Sequence, residues 1–235
     1  MTEPTRVLRP HPGLEITLLD TGSGNRAVLA LHGGAGPRGV APIVEHFEPE
    51  ARVLAPTHPG WAGTPRPDWF TGVDDLAVTY LDLLDDEDLE DVVVVGSSFG
   101  GWVASEMAVR DRGRRIRALV VLDGIGPEVD GHPVRMPEPP PGAPGPAPAD
   151  LAALRAYAGP AIGDPKLLRR LARVRIPALL IWGEDDVVVP PAFGKAYAAG
   201  FADARFEVVP GAGHMPHAQA PAETFTKIDE FLRRA

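Results

Sequence analysis

The 235-residue chain contains no cysteine. Disulfide bridges, catalysis by a cysteine thiolate and zinc sites with cysteine ligands are therefore excluded. No apolar run reaches the roughly 20 residues that a membrane-spanning helix needs. The first residues, MTEPTRVLRPHPG, contain no apolar stretch of the kind found in signal peptides. We therefore expect a cytoplasmic protein with no membrane partner.

Positive charge is also scarce, because 23 Lys and Arg stand against 32 Asp and Glu, which gives a net charge of -9. Nucleic-acid binding depends on a surplus of basic side chains that neutralise phosphates. Anionic lipid surfaces attract basic segments for the same reason. We therefore expect neither a nucleic acid nor a membrane surface as a partner, and the charge itself does not identify a substrate.

Short apolar runs that end in polar or glycine-rich turns recur along the chain. They predict strands at 27–34, 51–60, 91–98, 116–124, 176–185 and 204–213. Their Val, Leu and Ile residues are nearly continuous, which is typical of strands covered by helices on both faces. Apolar residues at helical spacing predict the intervening helices at 73–84, 99–111, 191–202 and 221–234.

The beginning of the chain has a different pattern. TRVLRP and EITLLDTG are separated by a Pro/Gly turn, which predicts two further strands at an antiparallel edge. The fold class is therefore α/β, with a mostly parallel central sheet of about eight strands flanked by helices. We predict a single domain over residues 1–235, since α/β folds of this length are commonly undivided.

Residues 126–148 interrupt this alternation with nine prolines in 23 positions. Proline lacks a backbone donor and fixes φ, so a regular strand or helix is disfavoured there. Two interpretations stay open from composition alone: a surface linker, or a cap over a pocket. A helix is predicted next, over 148–159, with Asp150 as its N-cap.

The segment Gly96-Ser97-Ser98-Phe99-Gly100 fits the pattern G-x-S-x-G between a valine-rich strand and a predicted helix. Such a turn strains the backbone of the central serine, and glycines two residues to either side prevent collisions. The helix that follows directs its N-terminal amides toward charge developing near the serine. We therefore predict Ser98 as a nucleophile and Ser97 as a small residue that fills the bend.

A nucleophilic serine needs a base, and His214 lies between the last predicted strand and the last predicted helix. Ligands collect at the carboxyl ends of strands in such sheets, which favours this histidine. The other loop histidines lack this setting and are interpreted as incidental: His11, His46, His132 and His217.

An acid that orients the histidine is predicted at the end of the strand LLIWGEDD. Asp186 is the preferred candidate, Asp185 is a close alternative, and Asp123 is a more distant one. The order Ser, Asp, His along the chain matches the order found with a nucleophile elbow.

The glycine-rich turn LHGGAGP, residues 31–37, follows another predicted strand. Its amides could approach a reacting carbonyl, so we predict an oxyanion hole formed by the amides of Gly34 and Phe99. His32 is predicted to be structural, with a hydrogen bond inside the turn.

Together these segments resemble the α/β-hydrolase fold superfamily over nearly all of the chain except the proline-rich insert. The blocks that carry the resemblance are LHGGAGP, APTHPGWAGTPRP, VVVVGSSFGGWVA, LLIWGEDDVVVP and PGAGHMPHAQAP. The resemblance implies a Ser98–His214–Asp186 triad with an oxyanion hole at Gly34 and Phe99, and neither a cofactor nor a metal. It also implies a short cap, which we place at 126–165.

Departures from the family pattern narrow the expected function. Serine at the nucleophile position argues against the dehalogenase and epoxide-hydrolase branches, which use aspartate. Met215 stands where carbon–carbon bond hydrolases of this group usually carry tryptophan, which weakens that branch without removing it. No acid suited to recognising an amine is evident in the short cap, as a proline iminopeptidase would need.

The expected function is therefore hydrolysis of a small ester, thioester or similar acyl substrate through an acyl-enzyme. Two alternatives stay open: a carbon–carbon bond hydrolase or lyase with the same triad, and a non-catalytic protein that binds a small molecule. Substrate identity and oligomeric state do not follow from the sequence.

Overall fold

The computed structural model describes residues 5–136 and 147–235. The strands in these ranges are β1 (Thr5–His11), β2 (Leu14–Thr21), β3 (Ala27–Leu31), β4 (Arg52–Pro56), β5 (Val92–Ser97), β6 (Ile116–Leu122), β7 (Gly126–Pro127), β8 (Gly163–Asp164), β9 (Ala178–Gly183) and β10 (Ala204–Val209). Eight of them form one sheet in the order β1-β2-β4-β3-β5-β6-β9-β10, and β7 pairs with β8 alone.

Strand directions confirm the predicted fold class. The pairs β1–β2 and β2–β4 are antiparallel, whereas the strands from β4 to β10 pair in parallel. The antiparallel edge therefore lies at the beginning of the chain, as TRVLRP and EITLLDTG predicted. All catalytic candidates follow parallel strands, whose carboxyl ends share one edge of the sheet.

Helices cover both faces of the sheet. A single 3-10 turn at Pro37–Val40 precedes the α-helices, which are α1 (Ala41–Phe47), α2 (Val73–Asp86), α3 (Phe99–Asp111), α4 (Pro148–Ala158), α5 (Leu167–Leu171), α6 (Pro191–Ala199), α7 (Pro216–Gln219) and α8 (Pro221–Leu232). The predicted helices are confirmed to within a few residues. The sequence pattern missed α1, α5 and α7, because seven, five and four residues are too few to show a helical period. No helix in the described ranges is long and apolar enough to cross a membrane.

The four consecutive valines of β5 divide between the two hydrophobic cores. Val92 and Val94 belong to the core beneath α2, α3 and α4. Val93 and Val95 belong to the core on the opposite face, with residues of α1 and α8. Every residue of β5 is therefore buried, which explains why the strand shows no polar alternation.

The proline-rich segment falls partly outside the described residues, since 137–146 are not among them. Before the gap lies β7, which pairs with β8 after the gap. Helix α4, which follows the gap directly, packs into the core. The prediction that Asp150 caps α4 is wrong, because the N-cap is Ala147 and the helix begins at Pro148. Proline suits the first helical position because its missing N–H would have no partner there. The carboxylate of Asp150 instead accepts a hydrogen bond of 3.1 Å from the amide of Ala62.

Candidate active site

Ser98 lies at the junction of β5 and α3 with φ 52° and ψ -115°. This is a strained backbone conformation for a residue with a side chain. The flanking glycines make it possible: a Cβ on Gly96 would overlap the carbonyl of Gly100, and a Cβ on Gly100 would overlap the carbonyl of Leu31. The tight strand-to-helix turn predicted from the sequence is therefore present, and its glycines are sterically required.

The two serines of this turn have different surroundings. Ser97 is the last residue of β5 and is only 4% exposed. The hydroxyl of Ser98 instead faces His214, whose Nε2 is 2.9 Å from Ser98 Oγ. The structure therefore places an imidazole within hydrogen-bonding distance of the Ser98 hydroxyl.

His214 lies in the loop after β10 and forms a second hydrogen bond through the other side of its ring. Its Nδ1 is 2.8 Å from Asp186 Oδ2. The Asp186 side chain is fully buried, whereas that of His214 is 22% exposed. A continuous line of two hydrogen bonds thus runs from a buried carboxylate through a partly accessible imidazole to Ser98 Oγ.

Backbone amides hold the Asp186 carboxylate in place. Asp186 Oδ1 accepts hydrogen bonds from the amides of Val188, at 2.8 Å, and Val189, at 3.1 Å. The indole of Trp182 in β9 donates to the carbonyl of Val189 at 2.9 Å, which fastens this loop to the sheet. Asp185, the close alternative, is exposed to solvent, and its amide donates to the carbonyl of Ala212. The local geometry therefore brings Asp186 to His214 and turns Asp185 outward.

Burial and hydrogen bonding have opposite effects on the pKa of the Asp186 carboxyl. Burial would raise the pKa of its carboxyl, but the hydrogen bond with His214 and the charge of that ring act the other way. Further hydrogen bonds, from Asp123 and the Val189 amide, add to the second effect, so the pKa is lowered. Asp186 is consequently an anion at neutral pH, as a group that orients an imidazole needs to be.

Asp123, the distant alternative, follows β6 and is completely buried. Its Oδ1 accepts a hydrogen bond of 2.9 Å from the amide of Gly183. One potential ligand atom each of Asp123, Asp186 and His214 lies within 4.8 Å of the others, a spacing that could hold a metal ion. His214 and Asp186 are already hydrogen-bonded to each other, so a metal would have to break the line to Ser98. The absence of a metal or cofactor stays a prediction.

The two predicted oxyanion amides belong to Phe99, the residue after Ser98, and to Gly34 in the turn after β3. The turn after β3 runs close to it, since a Cβ on Gly33 would be 2.8 Å from Ser98 Cβ. Within residues 5–136 and 147–235, neither the amide of Gly34 nor that of Phe99 donates a hydrogen bond to another protein group. Free amides next to a nucleophile can bind a developing oxyanion.

His32 and His58 form a buried structural pair behind this turn. The amide of His58 donates to His32 Nε2 at 3.0 Å, so His32 Nδ1 carries the proton and donates to the carbonyl of Gly33 at 2.8 Å. Burial lowers the pKa of His32 to about 4, so this ring is neutral at neutral pH. The structural role predicted for His32 is confirmed. The contribution of His58, which also bonds Tyr80 Oη at 2.6 Å, was not predicted because it depends on α2.

An eight-stranded, mostly parallel sheet with helices on both faces and a serine at a strand-to-helix turn defines the α/β-hydrolase fold. A model of the alpha/beta hydrolase family matches residues 28–227. The chain therefore belongs to the alpha/beta hydrolase family, and the enzyme class that this membership supports is hydrolase.

Two curated relatives match parts of the chain. A 2-hydroxy-6-oxo-2,4-heptadienoate hydrolase of Pseudomonas putida is 33% identical over 118 residues, which are 48% of this chain and 42% of the relative. A biotin biosynthesis bifunctional protein of Teredinibacter turnerae is 42% identical over 59 residues, which are 25% of this chain and 10% of the relative. The matched part of the chain thus spans less than half the length of each relative.

Solved structures match over almost the whole chain. An esterase from Thermogutta terrifontis has a TM-score of 0.78 and 23% identity, covering 98% of both chains. A meta-cleavage product hydrolase from Pseudomonas fluorescens has a TM-score of 0.79 and 18% identity, covering 100% of this chain and 99% of the other. A membrane phospholipase A has a TM-score of 0.81 and 19% identity, covering 98% of this chain and 86% of the other. These similarities show the fold.

Proposed function

We propose that the protein is a serine hydrolase acting on a small ester, thioester or similar acyl substrate. The observation that carries this proposal is the hydrogen-bond line from Asp186 Oδ2 through His214 to Ser98 Oγ, with distances of 2.8 and 2.9 Å. Three side chains from three separate loops meet in the order needed for a nucleophile, a base and an orienting acid.

In the proposed reaction, Ser98 Oγ attacks the substrate carbonyl carbon while His214 Nε2 takes the hydroxyl proton. The negative charge on the carbonyl oxygen is stabilised by the amides of Gly34 and Phe99. Asp186 keeps the proton on Nδ1 and stabilises the imidazolium. His214 then protonates the departing oxygen or sulfur, and a water molecule activated by the same ring releases the acyl group from Ser98.

We further propose that residues 126–165 form a short cap within a single domain, 1–235. Support comes from α4, where Leu154 Cδ2 lies 3.2 Å from the position that a Cβ on Gly34 would occupy. The hydroxyl of Tyr157 on the same helix donates to the carbonyl of Pro59 at 3.0 Å. A helix placed this close to the oxyanion turn limits the space for an acyl group, which favours small substrates.

A carbon–carbon bond hydrolase is a second candidate, because the name of the Pseudomonas putida relative is that of a dienoate hydrolase. Met215, which follows His214, argues for the ester hydrolase instead, since carbon–carbon bond hydrolases usually carry tryptophan at this position. A panel of esters and vinylogous diketones separates the two. Faster turnover of a vinylogous diketone than of every ester would replace the first proposal with the second.

Hydrolysis of p-nitrophenyl acetate tests the proposed nucleophile. Ser98→Ala should reduce kcat about 10⁴-fold or more, because removal of a triad nucleophile leaves only the remaining site. Ser97→Ala is the matched control in the same turn and should keep activity within a few-fold of wild type. Equal rates for wild type and Ser98→Ala would overturn the proposal.

A further inference from the structure

One of the two carboxyl oxygens of Asp123 is buried and accepts no hydrogen bond from the described residues. Its Oδ1 accepts from the Gly183 amide. Its Oδ2 is buried and accepts no hydrogen bond from any group in the described part of the chain. An acceptor left unpaired away from water costs about 1–3 kcal/mol, and more when it is charged, so an ionised Asp123 would be poorly stabilised here.

A second acid lies close to the Asp123 carboxyl. A carboxylate oxygen of Asp123 lies within 4.8 Å of one of Asp186, and the side chain of Asp186 is also fully buried. Two acceptor-only carboxylates cannot form a hydrogen bond, whereas a protonated carboxyl can donate to an ionised one. Like charges this close in a dry site favour one shared proton.

The partners of the two acids decide which of them holds that proton. Asp186 accepts hydrogen bonds from His214 and from the amides of Val188 and Val189, whereas Asp123 accepts one, from Gly183. Burial raises the pKa of Asp123 well above its usual range, and the charge of Asp186 adds to the rise. The negative charge is therefore better stabilised on Asp186.

We propose that Asp123 is protonated and donates a hydrogen bond from Oδ2 to the Asp186 carboxylate. Asp123 is then a positioning residue, which holds Asp186 in the orientation that meets His214 Nδ1 and anchors the loop after β9 to the end of β6 through Gly183. This inference rests on the proposed roles of Asp186, His214 and Ser98.

Infrared difference spectroscopy detects the proton without any substrate. Wild type at neutral pH should show a protonated-carboxyl C=O band that shifts in D₂O and is missing from Asp123→Asn. Because the readout does not need turnover, it decides the protonation of Asp123 even if the protein hydrolyses no ester. A wild-type spectrum without a band that this variant removes would overturn the inference.

The pH dependence of unfolding gives a second readout that needs no substrate. The folded-state pKa of Asp123 is raised, so the unfolded chain loses this proton first as pH rises. Wild type should therefore lose stability relative to Asp123→Asn from about pH 4 upward. The ionisable groups close to Asp123, which are Asp186 and His214, are the same in both proteins. A difference in Tm that stays constant from about pH 4 to pH 8 would contradict a protonated Asp123.

Kinetics on an ester substrate test the positioning role. In Asp123→Asn, the amide can donate to Asp186 and still accept from Gly183, so most of the wild-type kcat should be kept. Asp123→Leu has a similar size but cannot donate, and it should lower kcat about ten- to a hundredfold with little change in KM. Thermal unfolding verifies that the leucine variant is folded at the assay temperature. If Asp123→Asn instead loses as much activity as Asp186→Asn, Asp123 acts as an anion and the inference is wrong.

Discussion

The proposed catalytic groups and the helix above them are held in place by different kinds of interaction. Ser98, Asp123 and Asp186 each follow a strand, and the strands β5, β6 and β9 are almost completely buried. We refer to these three strand ends together as the sheet side of the site. Their backbones are fixed by a parallel ladder with helices on both faces, so small displacements are resisted by the whole core.

The opposite side is formed by α4 and is called here the cap side; it packs into the core and is also hydrogen-bonded to a loop. Two polar hydrogen bonds connect it to the loop after β4: Tyr157 Oη to the Pro59 carbonyl, and the Ala62 amide to the Asp150 carboxylate. The C-terminal part of the proposed cap is fastened separately, since Arg170 bonds both Glu106 of α3 and Asp164. We expect changes on the sheet side to reduce turnover, and changes on the cap side to alter selectivity and stability.

The largest expected effect among the remaining variants is that of Asp186→Asn on the sheet side. Loss of the anion removes the partner that fixes the His214 tautomer, and kcat should fall about 10⁴-fold, as in other triads. The neighbouring variant Asp185→Asn is the matched control and should keep near wild-type kcat, because Asp185 is exposed. Equal losses in the two variants, measured on p-nitrophenyl acetate, would contradict the assignment of Asp186.

An intermediate effect is expected for Leu154→Ala on the cap side. Leu154 is 3% exposed, so the deletion should lower the free energy of unfolding by about 2–5 kcal/mol. Space gained beside Gly34 should also raise the butyrate-to-acetate rate ratio at least about threefold. Arg155→Ala, an exposed position on the same helix, serves as control. If Leu154→Ala lowers kcat as much as Asp186→Asn does, the division between the two sides is wrong.

The smallest effect is expected for Tyr157→Phe. The substitution removes only the hydrogen bond to the Pro59 carbonyl and keeps the ring, so chemical denaturation should show a loss of about 0.5–1.5 kcal/mol. The kcat for p-nitrophenyl acetate should stay within about twofold of wild type, since this bond does not touch the sheet side. A fall in kcat clearly greater than about twofold would show that the cap side takes part in turnover.

Sequence patterns predicted the strands of the sheet side and the position of α4, but not the contacts of the cap side, for a physical reason. Buried strands and the steric demand for Gly96 and Gly100 leave local signatures that can be read without a structure. The contact of Asp150 with Ala62 joins residues 88 positions apart, and no local pattern reveals it.

The proximity of the Asp123 and Asp186 carboxyl groups is likewise not evident from a local sequence pattern. In the sequence, Asp123 and Asp186 are two alternative candidates for the triad acid. They come close together only because β6 and β9 are neighbours in the sheet, which the sequence does not show. The loop after β9 turns Asp185 toward solvent and Asp186 toward His214, and the spacing of two consecutive acids in a sequence does not show this difference.

The most direct test of the proposed serine chemistry is labelling with a fluorophosphonate probe, followed by peptide mass spectrometry. A nucleophilic Ser98 should form a covalent adduct in wild type and in Ser97→Ala, react much more slowly in Asp186→Asn, and leave Ser98→Ala unlabelled. A protein that stays unlabelled at Ser98 would contradict the account and favour a non-catalytic binding protein with the hydrolase fold.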